Sequence, residues 1–188
     1  MAAGGGARHL TALFEQLGDV VDPPALLRCL NLAAEHYLTV DPSVALGLAD
    51  ALVAGAAWAD RPELGALGLL GRGDALRRLG RPREAVEALD DAAAAFRALP
   101  EPDDVGWART RIGWIVARHE LGDWDGIEAA VDAAMAVFAR RGEALRAVKL
   151  AANAGAVHFE RAEHPAALAR YDQALELCDA LDPARTDV

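Results

Sequence analysis

The sequence predicts an all-α fold: a right-handed α-solenoid of four helical hairpins, preceded by one capping helix. Three observations predict it. Of 188 residues, 44 are alanine and 26 leucine, while aromatics make up only 5%. Alanine and leucine favour helices and β-branched and aromatic residues favour sheets, so the composition excludes an all-β fold. Small residues recur at Ala33, Gly73, Gly113 and Gly155, at spacings of 40, 40 and 42. Around each lies the same order of apolar run, turn signal and second apolar run.

The elements follow in order from that punctuation. Residues 1–6 read as a disordered start, and 7–22 as the capping segment, with a helix near 7–18. Repeat one (24–60) has helices near 24–38 and 43–58, broken by Val40-Asp41-Pro42 and restarted at Asp41-Pro42-Ser43. Ser43 is the only serine of the chain and is read as part of that helix start. Asp60-Arg61-Pro62 leads into repeat two (63–100), with helices near 63–79 and 83–98 about the Gly80 turn. Pro100-Glu101-Pro102-Asp103-Asp104 leads into repeat three (104–141), with helices near 104–120 and 124–140 about Gly122-Asp123. Arg140-Arg141-Gly142 then opens repeat four (143–181), with helices near 143–161 and 165–181, the second begun at His164-Pro165. Residues 182–188 form a tail.

Residues 153–177 carry the fullest version of the repeat: Ala154-Gly155, Phe159, a break at Ala162 to Pro165, then Ala167, Tyr171 and Ala174. Ala85 and Ala92 repeat the last two alanines seven residues apart, and Ala45 marks the degenerate first copy. This order resembles the tetratricopeptide repeat. The period of 40 to 42 is similar to the longer-helix variety found in kinesin light chains and in bacterial signalling proteins, including those that carry a CHAT (caspase-like) protease domain. Small residues at helix crossings let backbones approach closely, and no hairpin buries its apolar face without a neighbour. Repeat three departs from the pattern. It has two extra residues between Gly113 and Gly122, and Gly126-Ile127 stand where the second-helix alanine is expected.

Composition also limits the chemistry. The formal charge is −10, which argues against nucleic acid and against anionic membrane surfaces as partners. No apolar run is long enough to span a bilayer, and the start MAAGGGARH has no signal-peptide core, so a cytoplasmic chain is expected. Cys29 and Cys178 read as buried reduced thiols. His9, His36, His119, His158 and His164 have no metal-ligand spacing, and His36 and His158 share one repeat position on the packed helix face. Gly68, Gly71 and Gly73 lie inside a helix, with no strand before them, and read as packing glycines rather than a phosphate cradle. No nucleophile motif occurs; no catalysis, cofactor or metal is expected.

What the resemblance implies is a non-catalytic scaffold that binds a protein segment in a concave groove lined by first helices, or the sensor part of a larger CHAT-type protease or signalling regulator. The family's groove positions fall on Asn31 and Tyr37, on Asp74, Arg77 and Arg78, on Arg111, Trp114 and Arg118, and on Lys149, Asn153 and Phe159. Five of these eleven are cationic and one anionic in an acidic chain, which suits an extended acidic peptide or a carboxylate. The Lys and Asn pair with which some relatives hold chaperone tails is replaced by Leu30 and Ala34, so that ligand is not expected. The last helix carries Leu168, Tyr171, Leu175 and Cys178 on one stripe with no cap after it. That stripe is expected either to receive a further repeat, with Leu181-Asp182-Pro183 as the loop into it, or to pair end to end as a homodimer.

Overall fold

The computed structural model describes residues 22–181, and those residues hold eight α-helices and no strand. They are α1 (Pro23–Val40), α2 (Pro42–Trp58), α3 (Pro62–Arg78), α4 (Pro82–Ala98), α5 (Asp104–Glu120), α6 (Ile127–Arg141), α7 (Ala144–Glu160) and α8 (His164–Leu181). Helices next to each other in sequence pair as the hairpins α1–α2, α3–α4, α5–α6 and α7–α8. The chain divides at Asp103/Asp104 into two compact units of two hairpins each. Within each unit the first helices also touch, α1 against α3 and α5 against α7, as an α-solenoid-like repeat requires. The proposed helix at 7–18, the disordered start and the tail at 182–188 lie outside the described residues.

In the first unit, Leu27, Leu52, Ala56 and Leu64 form one core cluster, with Leu26, Leu30, Trp58, Ala59 and Leu67 packed around it. Asp41 caps α2: its side chain accepts hydrogen bonds from the backbone N–H groups of Ser43 (2.9 Å) and Val44 (3.3 Å). Ser43 is therefore capped rather than capping. A Cβ on Gly73 would sit 2.5 Å from Leu89 Cγ, and one on Gly68 would sit 2.8 Å from Val53 Cγ2. At these two positions the absence of a side chain is what lets α3 seat against its neighbours. Gly71 is roomier, its nearest such neighbour being Ala49 Cβ at 3.6 Å.

In the second unit, Ile127, Val131 and Ala134 are buried on α6 at the intervals shown by Ala85, Leu89 and Ala92 on α4. That match fixes the register of repeat three. Ile127 takes the second-helix alanine position, five residues after Gly122 as Ala85 is after Gly80, so the two extra residues lie before the turn and Ile115, not Gly113, is level with Gly73. The turn also corrects the expected start of α6 from 124 to 127, because Gly126 adopts φ 75° and ends the non-helical segment there. Gly155 plays the part of Gly73: a Cβ there would meet Tyr171 Cε1 at 2.6 Å.

Five helix ends share one turn. Asp60, Gly80, Gly122, Gly142 and Ala162 all lie in the left-handed region, with φ between 51° and 70°. The next residue in each case donates its N–H to the carbonyl five positions earlier: Arg61 to Ala56, Arg81 to Leu76, Asp123 to Arg118, Glu143 to Phe138 and Glu163 to His158. This is the six-to-one closure of a Schellman turn, which satisfies carbonyls that the helix end would otherwise orphan. Three of the five positions carry the glycine that the conformation favours, and two do not.

Three expectations about burial are corrected. Cys29 is exposed and Cys178 half-buried, and both are free thiols. His36 is exposed, whereas His158 at the same repeat position is buried. In repeat one the fully buried small residue is Ala34 rather than Ala33, one step along the helix.

Candidate functional site

The eleven proposed groove positions meet three different fates. On α1, Asn31 is half-buried and donates to Glu35 at 3.3 Å, and Tyr37 stands edge-on to the exposed His36 ring at 5.4 Å. On α3, Asp74 and Arg77 are half-buried and Arg78 is exposed. On α7, Lys149 is exposed, while Asn153 is turned inward and donates to the Ile112 carbonyl of α5 at 3.0 Å. Phe159 is 59% exposed near the end of α7, its ring 5.7 Å from that of His164.

The group that the fold brings together most tightly is on α5. Arg111, Trp114 and Arg118 stand three and four residues apart, which places all three side chains on one helix face. Both guanidinium carbons lie 4.7 Å from the Trp114 ring centroid, within the range of cation–π attraction. Arg111 and Trp114 are each only 7% exposed. Arg111 Nε donates to Thr110 Oγ1 at 2.9 Å, and Thr110 in turn donates to the Trp107 carbonyl at 2.7 Å. Arg118 spends one end of its guanidinium on the α5–α6 turn, where Nη2 reaches Asp123 Oδ1 at 2.7 Å and the Asp125 carbonyl at 2.9 Å. That clamp ties the end of α5 to the segment that precedes α6.

Among the described residues, the buried side-chain N–H groups without a hydrogen-bond partner include Arg77 Nε, Trp114 Nε1 and Arg118 Nε. All three belong to the proposed groove positions, and all three sit on the first helix of a hairpin. An unpaired buried donor costs about 1–3 kcal/mol, so such atoms mark places where an acceptor would be welcome.

A second polar cluster, which sequence reasoning read only as packed helix face, surrounds His158. Its Nε2 lies 2.9 Å from Glu128 Oε1 and its Nδ1 lies 2.8 Å from Glu163 Oε2. The His158 hydrogen bond holds the Glu163 carboxyl below its usual range, against desolvation and with help from the Arg161 charge. Arg170 bonds Glu128 at 2.8 Å and Asp132 at 2.9 Å. Burial works against the Arg170 charge, yet these two carboxylates hold its pKa above the ordinary value. Beside this cluster, His119 lies 2.5 Å from Glu160 and accepts from Trp124 Nε1 at 3.1 Å, while Arg161 covers the Trp124 ring. Each carboxylate here is answered by a cation or imidazole, which makes the cluster a structural clasp between α6, α7 and α8.

No family model and no curated protein matches this sequence. The resemblance to tetratricopeptide repeats therefore rests on the residues alone, and the hairpin packing shows a helical repeat without identifying a family. Among the described residues, no group of three or more His, Cys, Asp or Glu is placed to hold a metal ion, and no helix is long and apolar enough to cross a membrane.

Proposed function

We propose that the chain is a non-catalytic, tetratricopeptide-like binding module whose ligand is an extended acidic protein segment, taken up along the first helices of its second unit. The observation that supports this reading is the coincidence of chemistry at Trp114 and Arg118 on α5. In a chain of net charge −10, the unanswered buried donors among the described residues fall on cationic and aromatic first-helix positions. A carboxylate or backbone carbonyl is the acceptor such groups lack, and hydrogen bonds to a charged partner are the stronger kind. The Trp114 indole beside Arg118 supplies a rigid, weakly solvated wall.

Fluorescence polarisation with labelled acidic, neutral and basic peptides of equal length tests the proposal. The acidic peptide should bind most tightly, and its affinity should fall as salt is raised. Trp114→Phe keeps an aromatic face but removes the N–H with half of the indole, so it should weaken binding about tenfold or more, the equivalent of one hydrogen bond to a charged group. Equal binding of all three peptides would sink the idea, as would undiminished affinity in a folded Trp114→Phe chain.

A further inference from the structure

The outer side of the α7–α8 hairpin carries two stripes of apolar residues set among a few charges, which no other described element of the second unit covers. On α7 the stripe is Leu145, Lys149, Ala152, Ala156 and Phe159; on α8 it is Leu168, Asp172, Leu175 and Asp179. Both follow the alternating steps of four and three that define a seam between packed helices. Leu145, Phe159, Leu168 and Leu175 are 68%, 59%, 62% and 61% exposed, among the most open large apolar side chains of the second unit. The remaining sides of these helices are accounted for. Tyr171 faces Gly155 of α7, Arg170 reaches Glu128 and Asp132 of α6, and Asn153 reaches Ile112 of α5. A helical wheel puts both stripes on the side of the hairpin turned away from α5 and α6.

We propose that this face pairs with the same face of a second copy of the chain, about a two-fold axis parallel to α7 and α8. Charge selects that occupant and that axis. The one polar residue of the α7 stripe is Lys149, the only lysine in the chain, and the polar residues of the α8 stripe are Asp172 and Asp179. The hairpin turns at Ala162, so Lys149 is level with Leu175, between the two aspartates. A two-fold parallel to the helices lays α7 over the partner's α8 and keeps these levels. Each Lys149 then reaches the partner's aspartates on either side, and each Leu168 meets the small Ala156. A two-fold across the helices would instead set α8 on α8 and bring aspartates together, which like-charge repulsion disfavours. The resulting contact is isologous, each copy giving the same patch. Two helices about 26 Å long and about 10 Å apart present a face on the order of the ~800 Å² that each partner gives to a stable interface.

This pairing goes beyond the ligand reading and assigns Lys149 and Phe159 to the dimer face, so its readout is oligomeric state rather than peptide affinity. Sedimentation equilibrium of the full chain over a range of concentrations should show a monomer–dimer exchange. Leu168→Glu with Leu175→Glu should give a monomer of unchanged helicity. Lys149→Glu should weaken dimerisation about tenfold or more, and adding Asp172→Lys and Asp179→Lys to it should restore the dimer. The charge pair decides the matter even where the double leucine variant fails to fold. A wild-type chain that stays monomeric throughout would overturn the proposal. So would a folded Leu168→Glu/Leu175→Glu chain that still dimerises, or a charge swap that fails to restore pairing.

Discussion

Replacing Ala162 by glycine should make the protein more stable. Ala162 holds φ 59° between α7 and α8, a conformation that costs an L-residue about 1–2 kcal/mol. Glycine removes that cost and gives back about 0.4–1 kcal/mol through its greater freedom in the unfolded chain. The net gain is about 0.5–1 kcal/mol, or roughly 1–4 °C in melting temperature for a chain of this length. Ala162 is exposed, so no packing is lost in the exchange. Gly142 provides the mirror experiment. It has φ 70° in the same turn, and a Cβ there would have nothing within 4 Å, so Gly142→Ala tests backbone strain without a clash. It should cost about 1 kcal/mol. Thermal melts followed by circular dichroism read both changes. If Ala162→Gly melted at or below the wild-type temperature, the left-handed turn would not be a source of strain, and the reasoning would be wrong.

Gly73→Ala forces a Cβ to within 2.5 Å of Leu89 Cγ and should destabilise by about 1–3 kcal/mol in denaturant titrations; Gly71→Ala, with 3.6 Å of room, serves as its control. Asn153→Ala loses the bond to the Ile112 carbonyl and should cost about 1 kcal/mol, and a variant of wild-type stability would show that bond to be idle. Because Glu163 has a depressed pKa in the folded chain, its contribution is fully present above the unfolded glutamate value and is lost as pH falls through the folded one. The stability gap between wild type and Glu163→Gln should therefore be open at neutral pH and close on acidification, and a gap that widened would refute the sign.

The helix map was largely readable because this chain writes its boundaries in local chemistry. Asp41-Pro42, the Pro62 and Pro82 starts and the glycines at 80, 122 and 142 act within one turn of where they stand. The start of α6 was misjudged because Gly126 and the Arg118 clamp on Asp123 and Asp125 lengthen a turn by means that no propensity expresses. Asp60 and Ala162 were read as breaks, but their left-handed geometry could not be, since neither residue type announces it. The α5 group was found through its repeat position, although its three- and four-residue steps also put Trp114 within reach of two arginines on one helix face. The His158 clasp was missed for a different reason. Glu128 and Glu163 stand thirty and five residues away on opposite sides of it, and only the packing of three helices makes them neighbours. Burial failed most at the first hairpin, where Cys29 and His36 follow the repeat in type but not in environment.

The recurring six-to-one turn has a bearing on how quickly such a chain reaches its folded state. Each closure spans six residues, and within a unit each helix docks on the helix before it, so most native contacts join residues close in sequence. Chains of this kind give up little loop entropy before their contacts repay it, and they fold in microseconds to milliseconds rather than seconds. Where one hairpin forms, the next has a surface to settle on. Assembly can thus begin at any turn of a unit and spread along it, with no single obligatory nucleus.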